Sequence, residues 1–205
     1  MDSSRSIVRV SNAASGVAPS LAAGVVLLAW VFLASCVRME AKLDEYGTVP
    51  DFTLTDQTGA PFSSATALKG VDWIADFIYT TCPGPCPRMT SQMREVQDAV
   101  LKIPDVRLVS FSVDPANDTP PVLAAYAKQH GAAPSIWYFL TGSVATLQTL
   151  DRDAFKLGDI NAAMQHSTRF VLVDRQGRIR GYYDTSEAGA ISKVISDIRS
   201  LAATG

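Results

Sequence analysis

Trp73-Ile74-Ala75-Asp76-Phe77-Ile78-Tyr79 leads through Thr80-Thr81 into Cys82-Pro83-Gly84-Pro85-Cys86-Pro87, and the step from a nearly unbroken apolar run to two closely spaced thiols decides how the chain reads. A strand of that composition is buried on both faces, so its end delivers the cysteines to one exposed corner of a sheet. The prolines at 83, 85 and 87 lack backbone donors and restrict the residues before them, which bends the loop and sets Pro87 at the first position of a helix. Cys86 then falls near a helix N-terminus, where the dipole favours a thiolate. An ordinary thiol, with a pKa of about 8.5, is only about 3% ionised at pH 7, whereas one lowered to about 7 is half ionised. A disulfide here would close a five-residue loop, contributing roughly 2 kcal/mol by chain entropy against roughly 3 for a fifteen-residue loop. The pair therefore suits redox chemistry or metal capture better than stapling.

Downstream of Pro87, Met89, Met93, Val96, Val100 and Leu101 recur at helical spacing and residues 106–113 read as a strand, which makes a βαβ unit. Asp118-Thr119-Pro120 offers Asp118 as a helix cap and an early-helix proline before Leu123, Tyr126 and Ala127, with Gly131 as the stop. Residues 136–140 form a strand, Ser143 caps a helix through Val144, Leu147 and Leu150, and residues 170–173 form another strand. Asp174-Arg175-Gln176-Gly177 turns the chain into residues 178–183, and Ile191, Val194, Ile195, Ile198 and Leu201 mark a terminal amphipathic helix. Upstream, residues 52–55 and 60–62 flank Asp56-Gln57-Thr58-Gly59 as a hairpin. This order specifies an α/β, thioredoxin-like fold with an N-terminal β-hairpin extension and a C-terminal β-hairpin and helix, spanning residues 50–203.

With 205 residues, 47% hydrophobic and 19% charged, the chain has material for one packed domain and an appendage. A net charge of -2 supplies no basic surface for nucleic acid. Residues 1–37 are the appendage: Arg5 and Arg9 precede the apolar stretch 17–37, the pattern of an export signal that leaves the remainder outside the membrane. Leu33-Ala34-Ser35-Cys36 resembles a bacterial lipobox, in which cleavage leaves an acylated Cys36 as the new N-terminus. The alternative is a single uncleaved transmembrane helix, for which about 20 apolar residues suffice. Residues 38–49, with Arg38, Glu40, Lys42, Asp44 and Glu45, read as a solvated tether. The outer face is oxidising, so a dithiol that binds metal there must be kept reduced.

Two further segments fall where such a fold brings them toward the dithiol: residues 112–120, and His166-Ser167. His130, the other histidine, sits beside Gly131 and reads as a helix-end residue. Taken together, the loop 79–87, the run Ser112-Val113-Asp114-Pro115 through Asp118-Thr119-Pro120, Leu123, Tyr126 and His166-Ser167 closely resemble the Sco/SenC family over about residues 48–203. That resemblance implies a membrane-tethered, thioredoxin-fold copper protein that assists assembly of the dinuclear copper centre of cytochrome c oxidase subunit II. It implies Cys82, Cys86 and His166 as copper ligands, with subunit II and a copper donor or thiol reductant as partners. The inorganic chemistry agrees, since two thiolates suit Cu(I) and an imidazole also accommodates Cu(II). A closed zinc site would need a fourth protein ligand, and Cys36 is the one remaining thiol.

The family's usual Asp before His-Ser is Gln165 here, so any charge it would lend the metal is missing. Asp114 is a candidate for outer-sphere charge and equally a strand-end turn residue; Met89 and Met93 read as core. The rival function is a thiol–disulfide oxidoreductase or redox sensor using the same cysteines. His166 separates the two, because a pure dithiol reductase has no use for an imidazole ligand. A peroxiredoxin-type peroxidase is excluded because residues 75–82 lack its Pro-x-x-x-Thr/Ser-x-x-Cys pattern.

Overall fold

The computed structural model describes residues 43–158 and 167–204. In chain order the elements are β1 (Gly47–Thr48), β2 (Thr53–Asp56), β3 (Pro61–Ser63), α1 (Ser64–Ala67), β4 (Asp72–Ile78), α2 (Cys86–Val100), β5 (Val106–Ser112) and α3 (Pro120–Gln129). They continue with β6 (Trp137–Thr141), α4 (Val144–Thr149) running into a π-helical turn (Leu150–Ala154), β7 (Arg169–Val173), β8 (Arg178–Asp184) and α5 (Ala190–Thr204). The strands join one eight-stranded sheet in the order β1-β8-β7-β4-β5-β6-β2-β3. β4, β5 and β6 are mutually parallel, as their helical crossovers require, and β7, β8 and the β2–β3 hairpin are added antiparallel. This is the expected thioredoxin-like architecture with hairpins at both ends.

β4 is central, and all seven of its residues are buried. Alternation divides them between two cores. Ile74 and Ile78 face a layer with Met89, Met93 and Val96 of α2, Phe139, Phe170, and Val194 and Ile198 of α5. Trp73, Ala75 and Phe77 face the opposite layer, with Phe52, Phe111, Phe155 and Val171. Phe77 and Phe111 stack there at 4.9 Å between centroids. Met89 and Met93 are core residues, as expected. Asp76 shares the Ile74 and Ile78 side of the strand, beneath α2.

Two boundaries differ from the sequence reading. Residues 38–49 are not a solvated tether throughout. Gly47 and Thr48 pair antiparallel with Ile179 and Arg178, Val49 is buried, and Arg180 donates to the carbonyls of Leu43 and Asp44. A two-residue edge strand is too short to show a periodicity. The helix after the dithiol begins at Cys86 rather than Pro87, because Pro85 already adopts helical angles (φ -73°, ψ -27°) as its cap.

Candidate metal and redox site

Past Ile78 the chain leaves the sheet, and the Cys82 amide donates to the Tyr79 carbonyl at 3.3 Å. Pro83, Gly84 and Pro85 then carry it into the first residue of α2, which is Cys86. Both cysteines are free thiols; Cys86 is fully buried and Cys82 is 8% exposed. Their environments push in opposite directions. Burial works against a thiolate at Cys82, but hydrogen bonds from the Cys86 thiol, the Cys86 and Gly84 amides and the Tyr79 hydroxyl outweigh it and hold this thiol below its ordinary value. Cys86 is pushed up, first by burial, then by its hydrogen bond to Cys82 and by the neighbouring Cys82 and Asp76 charges. Tyr79 is pushed up by its bond to Cys82, then by burial.

The expectation that the helix terminus favours thiolate at Cys86 is therefore corrected. The amide at that terminus serves Cys82, which lies in front of it, while the Cys86 side chain turns into the core. The thiol held down is Cys82, and the thiol pushed up is Cys86.

Asp118 is also not a helix cap. Thr119 occupies the N-cap position of α3, and the Asp118 carboxylate is turned inward and wholly buried. It accepts from the Thr80 amide at 3.2 and 3.3 Å, the Thr80 hydroxyl at 2.5 Å and the Ser112 hydroxyl at 2.7 Å. Asp114, 3% exposed, accepts from the Asn117 side-chain amide at 2.7 Å, and its own amide donates to the Ser112 hydroxyl at 3.0 Å. The loop 114–118 is ordered by these bonds. The Asp114 charge adds to the upward push on Tyr79.

Asp76 lies beneath α2 and is inaccessible to solvent. One carboxylate oxygen accepts from the Ser110 hydroxyl at 2.6 Å, and that hydroxyl accepts from the Trp137 indole at 2.9 Å. The other oxygen has no partner among the described residues. Burial, partly offset by the Ser110 bond, raises Asp76 to about 7. The signal in the sequence was a lone acid inside the run 73–79.

A family model described as SCO1/SenC matches residues 40–203. The chain belongs to the SCO1/SenC family. Among solved structures it is similar to a SCO1/SenC family lipoprotein from Bacillus anthracis str. Ames, at 34% identity and a TM-score of 0.70 over 76% of this chain and 95% of that one. It is similar to BsSco, a member of the Sco family of cytochrome c oxidase assembly proteins in which a disulfide switch was identified, at 33% identity and TM-score 0.71 over 80% and 98% of the two chains. Bradyrhizobium japonicum ScoI with copper bound matches at 25% identity and TM-score 0.63, covering 75% of this chain and 99% of its own.

Within this SCO1/SenC domain the structure brings Cys82, Cys86, Asp114 and Asp118, together with the unanticipated Asp76, toward one end of β4 and β5. His166 and Gln165 lie outside the described residues, as do Cys36 and the rest of residues 1–37. Among the described residues no group of three or more His, Cys, Asp or Glu could hold a metal ion, and no helix is long and apolar enough to cross a membrane. Thr185, missed in the sequence, connects the segment just after His166 to the dithiol helix. Its amide and hydroxyl donate to the Thr168 carbonyl at 3.1 and 2.6 Å, and its carbonyl accepts from Arg88 and Gln92 of α2 at 2.9 and 3.0 Å. His130 ends α3 as expected, its ring 4.3 Å from Tyr126 and its pKa lowered by burial.

Proposed function

We propose that this SCO1/SenC protein takes one copper ion as cargo through Cys82, Cys86 and His166 and assists assembly of the dinuclear copper centre of cytochrome c oxidase. The observation that carries the reading is the pair of free thiols at one sheet end, hydrogen-bonded to each other, with Cys82 held below the ordinary thiol value by its donors and Cys86 pushed above it by burial. Two such sulfurs are donors for a soft ion, and an imidazole makes the set hospitable to both copper oxidation states. Three protein ligands leave a face open for handing the ion to a partner, here oxidase subunit II, after loading by a copper donor. Copper-bound ScoI and the oxidase-assembly role of BsSco support the assignment. The lipoprotein relative supports attachment to the outer face of the membrane through a lipid on Cys36, with a single helix over residues 17–37 as the other anchor.

The chain's own chemistry in this cycle is proton and thiol chemistry. Cys82 presents the sulfur whose surroundings favour ionisation, and Cys86, pushed up by burial, gives up its proton when the ion arrives. Oxidation of the pair to a disulfide removes both thiolates and returns the site to a state that needs a thiol reductant. The opposed thiol environments also favour a second reading, a thiol–disulfide oxidoreductase or redox sensor acting on cysteines of the oxidase subunit, with Cys82 as the attacking sulfur.

Anaerobic Cu(I) titration of reduced, oxidised and His166→Ala protein separates the two. One copper per reduced chain, none on the oxidised chain, and weakened retention with intact disulfide exchange in His166→Ala are expected. Unchanged copper affinity with collapsed exchange in His166→Ala would establish the oxidoreductase instead.

A further inference from the structure

We infer that Asp118 is a positioning residue for the dithiol, holding the strand-to-loop junction so that Cys82 and Cys86 face each other. The inference rests on the dithiol being the working site, and it concerns how the fold makes that dithiol converge.

The parallel β4–β5 ladder ends at the pair Ile78 and Ser112, with one further backbone bond from the Val113 amide to the Ile78 carbonyl at 2.8 Å. Beyond that point β4 has no strand to pair with, yet Cys82 is only four residues on. The Asp118 carboxylate takes over where the ladder stops. It binds the amide and hydroxyl of Thr80 on one side and the hydroxyl of Ser112 on the other, so a side chain replaces the missing strand. Asp118 is itself anchored by its amide, which donates to the Asp114 carbonyl at 2.8 Å.

A buried carboxylate is costly unless donors converge on it. Among the described residues no lysine or arginine forms an ion pair with Asp118, and its donors are all neutral. Packing alone would be served by an apolar residue of similar size. What the carboxylate adds is a fixed position for Thr80, and with it the entry angle of the loop. A preorganised loop raises the effective concentration of one thiol at the other beyond what a short tether supplies.

The consequence is a property of the metal-free protein. With glutathione disulfide, the Cys82 and Cys86 sulfurs form their S–S bond as the glutathione S–S bond breaks, and the two thiol hydrogens pass to two glutathione molecules. Loosening the junction disfavours this exchange. Asp118→Asn keeps the volume but turns an acceptor into a donor facing Thr80 or Ser112, and Thr80→Val removes the hydroxyl contact alone. In glutathione redox buffers, with thiols counted by alkylation and mass spectrometry, Asp118→Asn is expected to lower the disulfide equilibrium constant about tenfold, equivalent to about 30 mV for a two-electron couple. Thr80→Val should move it severalfold in the same direction, and it decides the matter if Asp118→Asn does not fold. Ser64→Ala, which removes the hydroxyl that accepts from the Phe52 amide at 2.8 Å, supplies a destabilised control whose dithiol equilibrium should stay at the wild-type value.

Wild-type equilibria in both Asp118→Asn and Thr80→Val overturn the inference, as does an equal shift in Ser64→Ala. Because the measurement contains no copper, a wild-type chain that fails to bind copper would defeat the proposed cargo while leaving this result intact.

Discussion

Cys82 and Cys86 are identical in chemistry and four positions apart, yet one is held toward thiolate and the other toward thiol. The difference is in burial and donors: both sulfurs lie in the core layer with Met89 and Met93, but Cys86 is the more deeply buried, while Cys82 gathers donors from the Cys86 and Gly84 amides, the Cys86 thiol and the Tyr79 hydroxyl. Asp76, below α2, shows how strongly that layer penalises charge. Burial raises it to about 7, above its unfolded value of about 3.9. Between these limits the folded chain keeps a proton that the unfolded chain releases. Its contribution to stability is therefore full below about pH 4 and declines as pH rises through about 7, by about 4 kcal/mol if Asp76 acts alone. Asp174 and Asp184 are held low and work in the opposite sense, their contribution being lost as pH falls below about 4. Urea denaturation at pH 5, 6, 7 and 8 should show stability falling with pH in the wild type and a flatter profile in Asp76→Asn. Equally steep profiles in the two proteins would mean that some other group titrates.

At the scale of elements, the site depends on how β4, α2 and the β8–α5 connection are tied together. Arg88 and Gln92 reach from α2 to the Thr185 carbonyl, so the helix that carries Cys86 is fastened to the same residue that fastens Thr168. β1 is tied in at the far edge of the sheet, through its pairing with β8, the burial of Val49 and the Arg180 contacts to Leu43 and Asp44. A chain beginning at Leu43 keeps these interactions, and one beginning at Pro50 loses them. Removing a buried valine and several hydrogen bonds costs about 3 kcal/mol, so thermal and urea melting should rank the shorter chain well below the longer. Equal stabilities would show that β1 is an ornament of the edge. Dithiol exchange should be alike in both, because β8 and β7 stand between β1 and β4.

Across the whole molecule, charge is arranged differently at the two ends of β4. At its start, Asp72 is bridged to Arg175, and Asp174 nearby to Arg178 and Arg180. At the dithiol end, Asp76, Asp114 and Asp118 are buried and form no such ion pairs among the described residues, and burial holds the Asp76 proton up to about pH 7. Oxidation changes this end chemically and the rest of the fold little. Closing a five-residue loop adds roughly 2 kcal/mol, so oxidised and reduced metal-free protein should melt within about 10 °C of each other, and the oxidised form should not retain copper. A much larger gap would mean that oxidation refolds the domain. Apart from β1 and the short α1, the order of strands and helices, the central buried strand and the dithiol at its end were determined by the sequence alone, because apolar periodicity and proline placement act over a few residues. Which thiol is held down and which is pushed up, the inward turn of Asp118, the inclusion of Gly47 and Thr48 in the sheet and the Thr185 connection were decided only by tertiary structure. Thr80 and Asp118 are 38 positions apart and Arg88 and Thr185 are 97 apart, and no local pattern in a chain records which distant donor a buried oxygen will meet.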